Sequence, residues 1–300
     1  MKRTILITLV CVILTGSCMA GAAEGGDTTM KVQIETVRTD GFSMDYIRFG
    51  RGDRTLVMLP GLSVDSVMNY ADAVADAYSP LTEEFTVYLF DRRKELPETY
   101  TIYDMARDTA AAVRTLGLGR VSLFGASQGG MIAMAMAAGD PEGIDRLVLG
   151  STAARMGPDR YRVIGQWAEL AKEGDAEALY LAFGQAVYPE EVFEQARELL
   201  AESAKSVTEE DLARFVVLAE GIKGFDFTGE LRQIACPVLI IGSADDRVLG
   251  ADSSEEIAEQ LKDRPDCELY LYDGYGHAVY DLAPDYKERL LQFLTAAADE

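Results

Sequence analysis

The sequence predicts an α/β fold with a mostly parallel, doubly wound sheet and an inserted helical segment. Short apolar runs alternate with helical patterns along most of the chain, which is typical of strands buried on both faces of a parallel sheet. About 80 residues between two of these runs show only helical periodicity. The chain has 300 residues, 48% of them apolar and 26% charged, which suits one large α/β domain with an insertion.

The N-terminal segment, residues 1–22, is predicted to be a signal peptide and is excluded from the fold. Lys2 and Arg3 precede an apolar run that ends at Leu14, which is shorter than the roughly 20 residues of a spanning helix. Two alternative cleavage sites fit the sequence. A lipobox-like stretch ends at Cys18, which would carry a lipid anchor to the membrane, whereas Ala20–Ala22 suits ordinary signal peptidase. We therefore expect an exported protein, either secreted or lipid-anchored at the cell envelope.

The first predicted elements after this segment form a hairpin. Residues 31–38 and 43–50 flank an Asp40–Gly41 turn, a pair typical of tight hairpins. Six apolar runs then predict the strands of the sheet: 56–59, 86–90, 121–124, 147–149, 238–241 and 269–272.

The helical insertion is predicted to be a cap over the sheet. Residues 30–153 and 231–300 would form the α/β core, and residues 154–230 the cap. Helical periodicity is found at 160–172, 176–188, 190–203 and 209–223. Part of a set of aromatic residues in this segment could line a substrate pocket, closed with Met131 or Leu62: Trp167, Tyr180, Phe183, Tyr188, Phe193 and Phe215.

Charge and metal-ligand content exclude several functions. The net charge of −22 would repel a phosphate backbone, so a nucleic-acid partner is not expected. The chain has one histidine and four cysteines with no C-x-x-C pair, which leaves zinc and iron–sulfur sites without ligands. We expect no metal and no cofactor. Cys236 and Cys267 begin neighbouring strands and could form a disulfide or remain buried thiols.

The pattern G-x-S-x-G at Gly125–Gly129 follows the predicted strand 121–124 and opens an apolar helix. In this context the pattern is typical of a nucleophile elbow, with Ser127 presented at the sheet edge. Side chains at Gly125 and Gly129 would collide across such a turn. The backbone N–H of Gln128 would point to where an oxyanion forms.

A serine nucleophile needs a base, and His277 is the only histidine. It follows the last predicted strand, at the edge where active sites of parallel sheets collect. The base needs an acid to orient it, and the loop after strand 238–241 offers Asp245 and Asp246. We favour Asp245.

The elbow, the acid loop Gly242–Val248 and the Gly276–His277 pair resemble the α/β-hydrolase superfamily over nearly all of the mature chain. In that family the acid is commonly the third residue past the strand's closing glycine, which carries the role onto Asp245 rather than Asp246. The second oxyanion donor comes from the loop after the strand that matches 56–59, which corresponds to the backbone N–H of Leu62. Residues 59–62 of this loop are Leu-Pro-Gly-Leu, whereas many relatives have His-Gly in the loop.

The resemblance and the residues together predict a serine hydrolase with a small-molecule substrate. It would cleave a small ester, lactone or thioester through an acyl-enzyme on Ser127, with His277 as base, Asp245 as its acid, and Leu62 and Gln128 as oxyanion donors. Two alternatives share these residues: a cofactor-free C–C hydrolase or perhydrolase, and a hydrolase-like protein that binds a ligand without turnover.

Overall fold

The computed structural model describes residues 30–297. The predicted signal peptide and the lipid attachment at Cys18 lie outside these residues and stay predictions. None of the helices in the described part of the chain is long and apolar enough to cross a membrane.

Eight strands form one sheet in the order β1-β2-β4-β3-β5-β6-β7-β8. The strands are β1 (Ile34–Arg38), β2 (Ser43–Gly50), β3 (Arg54–Leu59), β4 (Phe85–Arg93), β5 (Val121–Ala126), β6 (Ile144–Gly150), β7 (Val238–Ser243) and β8 (Cys267–Tyr272). The hairpin partners β1 and β2 pair antiparallel, as do β2 and β4, and all other pairings are parallel. The predicted fold class is therefore confirmed.

Ten α-helices surround and cap this sheet within residues 30–297. They are α1 (Ala71–Ala77), α2 (Ile102–Thr115), α3 (Gln128–Gly139), α4 (Pro158–Lys172), α5 (Ala176–Val187), α6 (Glu190–Ala204), α7 (Glu209–Glu220), α8 (Ser253–Leu261), α9 (Val279–Leu282) and α10 (Tyr286–Thr295). Capping boxes fix the first turns of two of them, Thr101 with Asp104 at α2 and Thr208 with Asp211 at α7.

The sheet is covered on both faces, which explains the continuous apolarity of its central strands. All residues of β5 and β7 are buried. Two apolar clusters contain the core, one including Met131 and Trp167 and the other including Phe124 and Tyr286. Because β3, β5, β6, β7 and β8 are parallel, their carboxyl ends meet at one edge of the sheet.

Four helices, α4 to α7, occupy the segment between β6 and β7 that was predicted as the cap. A β-bridge between Arg155 and Asp226 joins the two ends of this segment. The domain boundaries at residues 154 and 230 stay a prediction.

Cys236 and Cys267 lie at the amino ends of β7 and β8, and both are free thiols. Cys267 pairs in register with Val238, two residues after Cys236. Burial raises the pKa of Cys236 to about 11 and also raises that of Cys267, which keeps both sulfurs protonated and weakly reactive near neutral pH.

Candidate active site

Ser127 occupies a sharp turn between β5 and α3. Its backbone has φ 52° and ψ −120°, a combination that is strained for a residue with a side chain. The turn is held from both directions, since the Ser127 N–H donates to Gly150 O at 2.8 Å and the Thr152 hydroxyl donates to Ser127 O at 2.7 Å. The predicted elbow is therefore present in the structure.

Close backbone approach at the elbow leaves no room for side chains at its glycines. A Cβ at Gly125 would lie 2.3 Å from Gly129 O, and one at Gly129 would lie 2.0 Å from Leu59 O. A Cβ at Gly61 would lie 3.2 Å from Ser127 Cβ and 3.8 Å from its Oγ. The loop after β3 therefore packs directly against the serine, as an oxyanion loop requires.

The two predicted oxyanion donors flank this packing. Leu62 lies in the loop after β3, and Gln128 is the first residue of α3. Within residues 30–297, neither backbone N–H donates a hydrogen bond to another group of the protein. The two residues are 8% and 1% exposed. Because the two N–H groups have no acceptor within the described residues, they are available to an oxygen beside Ser127.

Arg92, which was not predicted from the sequence, forms hydrogen bonds to both the loop after β3 and the start of α3. Its Nη2 donates to Pro60 O at 2.7 Å and to Gln128 Oε1 at 3.1 Å. The side chain is buried, and burial lowers the pKa of Arg92 to about 10, so the guanidinium stays cationic at neutral pH. The run of charged residues 91–93 at the end of β4 was the available sequence signal.

Gln128 also connects the elbow to the cap. Its Nε2 donates to Leu218 O in α7 at 2.8 Å. Beside it, Arg214 of α7 forms a 3.1 Å ion pair with Asp91. Both contacts fix α7 over the oxyanion loop.

His277 follows β8 at the same edge of the sheet and is 3% exposed. Its Nδ1 lies 2.8 Å from Oδ2 of Asp246. The other oxygen of that carboxylate accepts the N–H groups of Val248 and Leu249 at 2.8 and 3.0 Å. Asp246 is thus held rigidly by its own loop while it contacts the imidazole.

The expectation that Asp245 contacts His277 was wrong. The Asp245 carboxylate instead accepts the Ser243 hydroxyl at 2.6 Å and the backbone N–H groups of Gly274 and Gly276 at 3.1 to 3.2 Å. Burial opposes ionisation of Asp245, but these hydrogen bonds together lower its pKa. The tight turn after β7 directs the two neighbouring carboxylates apart, so that Asp245 holds the histidine loop and Asp246 holds the imidazole.

Ser127 and His277 form no hydrogen bond with each other in the described part of the chain. This contact is often long without substrate and tightens when substrate binds. With its proton on Nδ1 and directed to Asp246, the imidazole would leave Nε2 as the acceptor.

A cavity of about 130 Å³ adjoins the elbow. Gly61, Leu62 and Ala126 line it from the sheet side, and Asp281 lines it from α9. Of the aromatic residues proposed for a pocket, Tyr180, Phe183 and Tyr188 line this cavity. Trp167 packs behind Phe183 with ring centroids 4.6 Å apart, while Phe193, Phe215 and Met131 are buried in the core.

No group of three or more His, Cys, Asp or Glu side chains that could hold a metal ion occurs within residues 30–297.

The fold and this site define an alpha/beta hydrolase. The chain belongs to the alpha/beta hydrolase family, whose model matches residues 56–288. A protein of Agrobacterium fabrum named "Putative carbamate hydrolase RutD" is 30% identical over 226 residues, covering 72% of this chain and 85% of that protein. A protein of the same name from Caulobacter vibrioides is 29% identical and covers 72% and 83%.

Solved structures agree on the fold. An alpha/beta hydrolase enzyme from a Medee basin deep-sea metagenome library superposes with a TM-score of 0.78 at 23% identity, covering 89% of this chain and 99% of the other. The enol-lactonase from Burkholderia xenovorans gives a TM-score of 0.74 at 22% identity, covering 87% and 100%.

Proposed function

We propose that this protein is a serine hydrolase that cleaves a small ester, lactone or thioester through an acyl-enzyme on Ser127. The observation that carries the proposal is the elbow itself. Ser127 is held at positive φ beside a cavity, and the N–H groups of Leu62 and Gln128, which have no acceptor among the residues that the structure describes, are available there.

The first half of the reaction would transfer the acyl group to Ser127. The hydroxyl oxygen attacks the carbonyl carbon while His277 Nε2 takes its proton, and the imidazolium is stabilised by Asp246. The carbonyl oxygen becomes an oxyanion that accepts hydrogen bonds from the N–H groups of Leu62 and Gln128. His277 then returns the proton to the leaving alcohol or thiol as the tetrahedral intermediate collapses.

The second half repeats these steps with water. His277 takes a proton from the water, whose oxygen attacks the acyl carbon, and then protonates Ser127 as the acid product departs. The apolar walls of the cavity, among them Leu62 and Phe183, would bind the hydrocarbon part of the acyl group.

A carbamate is the second candidate substrate, because two relatives that are 29% to 30% identical carry the name carbamate hydrolase. With a carbamate ester, the same steps would release the alcohol and leave a carbamoyl group on Ser127.

The test is hydrolysis of activated esters of graded acyl length, a lactone and a matched carbamate by the wild-type protein, Ser127→Ala and Ser122→Ala. Ser122 is a buried serine in β5, the strand that leads into Ser127, and serves as the matched control. We expect Ser127→Ala to lower kcat roughly 10⁴-fold or more and Ser122→Ala to retain activity. Equal turnover by the wild-type protein and Ser127→Ala would contradict the proposal.

A further inference from the structure

One end of the cavity is polar although the rest is largely apolar. Four residues form this end, which we call the tyrosine–aspartate end: Tyr78, Tyr188, Tyr280 and Asp281. Tyr78 and Asp281 are each 7% exposed and Tyr188 is 1% exposed. The Asp281 charge is close enough to raise the pKa of all three tyrosines, in addition to the larger effect of their burial.

Within residues 30–297 no hydrogen bond reaches the side-chain polar atoms of this end. The carboxylate of Asp281 and the hydroxyls of the three tyrosines neither donate nor accept there. Arg247 and Lys287 donate to the backbone oxygens of Tyr188 and Tyr280, and these bonds leave the two hydroxyls unused. Burying an acceptor without a partner costs free energy, so a bound molecule that donates to Asp281 would relieve that cost.

The cavity wall carries acidic side chains, so it favours ligands that donate hydrogen bonds and disfavours anions. Its lining contains the carboxylates Asp65 and Asp281 and no Lys, Arg or His. Asp65 is already occupied, because Tyr70 and Asn69 donate to it at 2.8 and 3.2 Å. Asp281 is therefore the open acceptor.

Two cations face Asp281 from outside the cavity lining, Lys287 of α10 and His277 when protonated. The Lys287 ammonium donates to Tyr280 O at 2.6 Å and lies 5.3 Å from the ring centroid of Tyr78. It forms no ion pair with Asp281 within 4.0 Å among the described residues. The oxygens of Asp281 consequently remain free to accept from a ligand.

We propose that Asp281 is a specificity residue that accepts a hydrogen bond from a nitrogen of the substrate, so that the preferred substrates carry an amino group within a few bonds of the scissile carbonyl. Analogues with a carboxylate at that position would be rejected, because the cavity offers them no cation. This inference rests on the proposed hydrolase function.

The charge state of Asp281 sets the conditions for a test. Burial raises the pKa of Asp281 to about 7, with Lys287 and His277 opposing the rise. At about pH 8 the carboxylate is ionised while an alkylammonium group remains cationic, so that pH gives the strongest attraction.

The experiment compares three esters that differ at one position: ethyl butanoate, ethyl 3-aminopropanoate, in which an ammonium replaces the terminal methyl, and monoethyl succinate, in which a carboxylate replaces it. Values of kcat/KM are measured for the wild-type protein, Asp281→Asn and Glu288→Gln. Glu288 is an exposed carboxylate in α10, and its variant is the matched control for charge.

We expect Asp281→Asn to lower the ratio of ammonium ester to butanoate roughly 10- to 100-fold, and Glu288→Gln to leave it unchanged. Comparing ratios between proteins cancels both the intrinsic reactivity of each ester and any general effect on His277. An unchanged ratio in Asp281→Asn, or a wild-type preference for monoethyl succinate, would overturn the inference while leaving the hydrolase function intact.

A binding measurement separates this inference from failure of the hydrolase function. The melting temperature of the wild-type protein is measured with butylammonium chloride and with sodium butanoate at equal ionic strength. We expect only the ammonium to raise Tm, and the rise to be lost in Asp281→Asn. If no ester is hydrolysed but this pattern holds, the proposed function fails and the amine site stands. If neither ion changes Tm, the site is refuted.

Discussion

Nδ1 of His277 lies 2.8 Å from Oδ2 of Asp246, while the neighbouring Asp245 points to the backbone of the histidine loop. The two aspartates thus have different roles in positioning His277, the only histidine of the chain. One contacts the imidazole, and the other contacts the loop that carries it.

This division predicts unequal effects of two neighbouring substitutions. Asp246→Asn should lower kcat on the order of 10⁴-fold, because an amide at this position favours the wrong imidazole tautomer. Asp245→Asn should cost far less, since it weakens only contacts to Ser243, Gly274 and Gly276. Steady-state kinetics on one activated ester decides the ranking, and the reverse order would return the acid role to Asp245.

Arg92 should act on catalysis through the oxyanion loop rather than on substrate binding. Arg92→Met leaves Pro60 O and Gln128 Oε1 without their donor, so the N–H groups beside Ser127 lose their fixed positions. We expect kcat to fall roughly 10- to 100-fold with little change in KM. Arg93→Met is the control, because the Arg93 side chain bonds to Glu95 O and Asp108 instead. A rise in KM at constant kcat would contradict this role.

Phe183 should determine the preferred acyl length. It lines the cavity from the cap and packs against Trp167, so Phe183→Ala enlarges the cavity without touching Ser127. We expect the optimum of kcat/KM to move to longer acyl chains. Phe193→Ala removes a cap phenylalanine that is buried away from the cavity and should leave the optimum in place. The same shift in both variants would indicate a general loosening of the cap.

Asp281 should make stability depend on pH. Its folded pKa, raised by burial from 3.8 to about 7, means that between these values the folded protein keeps a proton that the unfolded chain releases. The free energy of unfolding therefore falls as pH rises through this range. From pH 5 to pH 8 the wild-type protein should lose roughly 2 to 3 kcal/mol more than Asp281→Asn.

Urea unfolding of both proteins at the two pH values measures this difference, and titrating groups that do not interact with Asp281 cancel between them. His277 and Lys287 face Asp281 in the folded state and are present in both proteins. Glu288→Gln should behave like the wild-type protein. Identical pH dependence of the wild-type protein and Asp281→Asn would show that Asp281 does not titrate in this range.

Local patterns predicted the elements of the fold because each has its own signal. The mostly apolar run at 121–124 and the apolar run at 238–241 lie within β5 and β7, which are buried on both faces. The Asp40–Gly41 turn joins β1 and β2 as expected. The elbow could be predicted because Gly125 and Gly129 approach each other within the turn itself, although Gly129 also packs against the distant Leu59.

Contacts between distant elements could not be derived in this way. The choice between Asp245 and Asp246 depends on how the turn after β7 meets the loop after β8, some 30 residues later in the sequence. Arg92 and Asp281 gained their importance from burial beside the elbow and the cavity. Asp281 has no flanking motif, and the charged run 91–93 does not show which of its side chains is buried, because charged residues usually lie on a solvated surface.

The most direct test of the central claim is the position at which a fluorophosphonate labels the protein. Only a serine activated by a base should react rapidly. Peptide mapping of the wild-type protein should therefore place the adduct on Ser127. Labelling should disappear in Ser127→Ala, become slow in His277→Ala and persist in Ser122→Ala. Rapid labelling of another serine, or undiminished labelling of Ser127→Ala, would contradict the account.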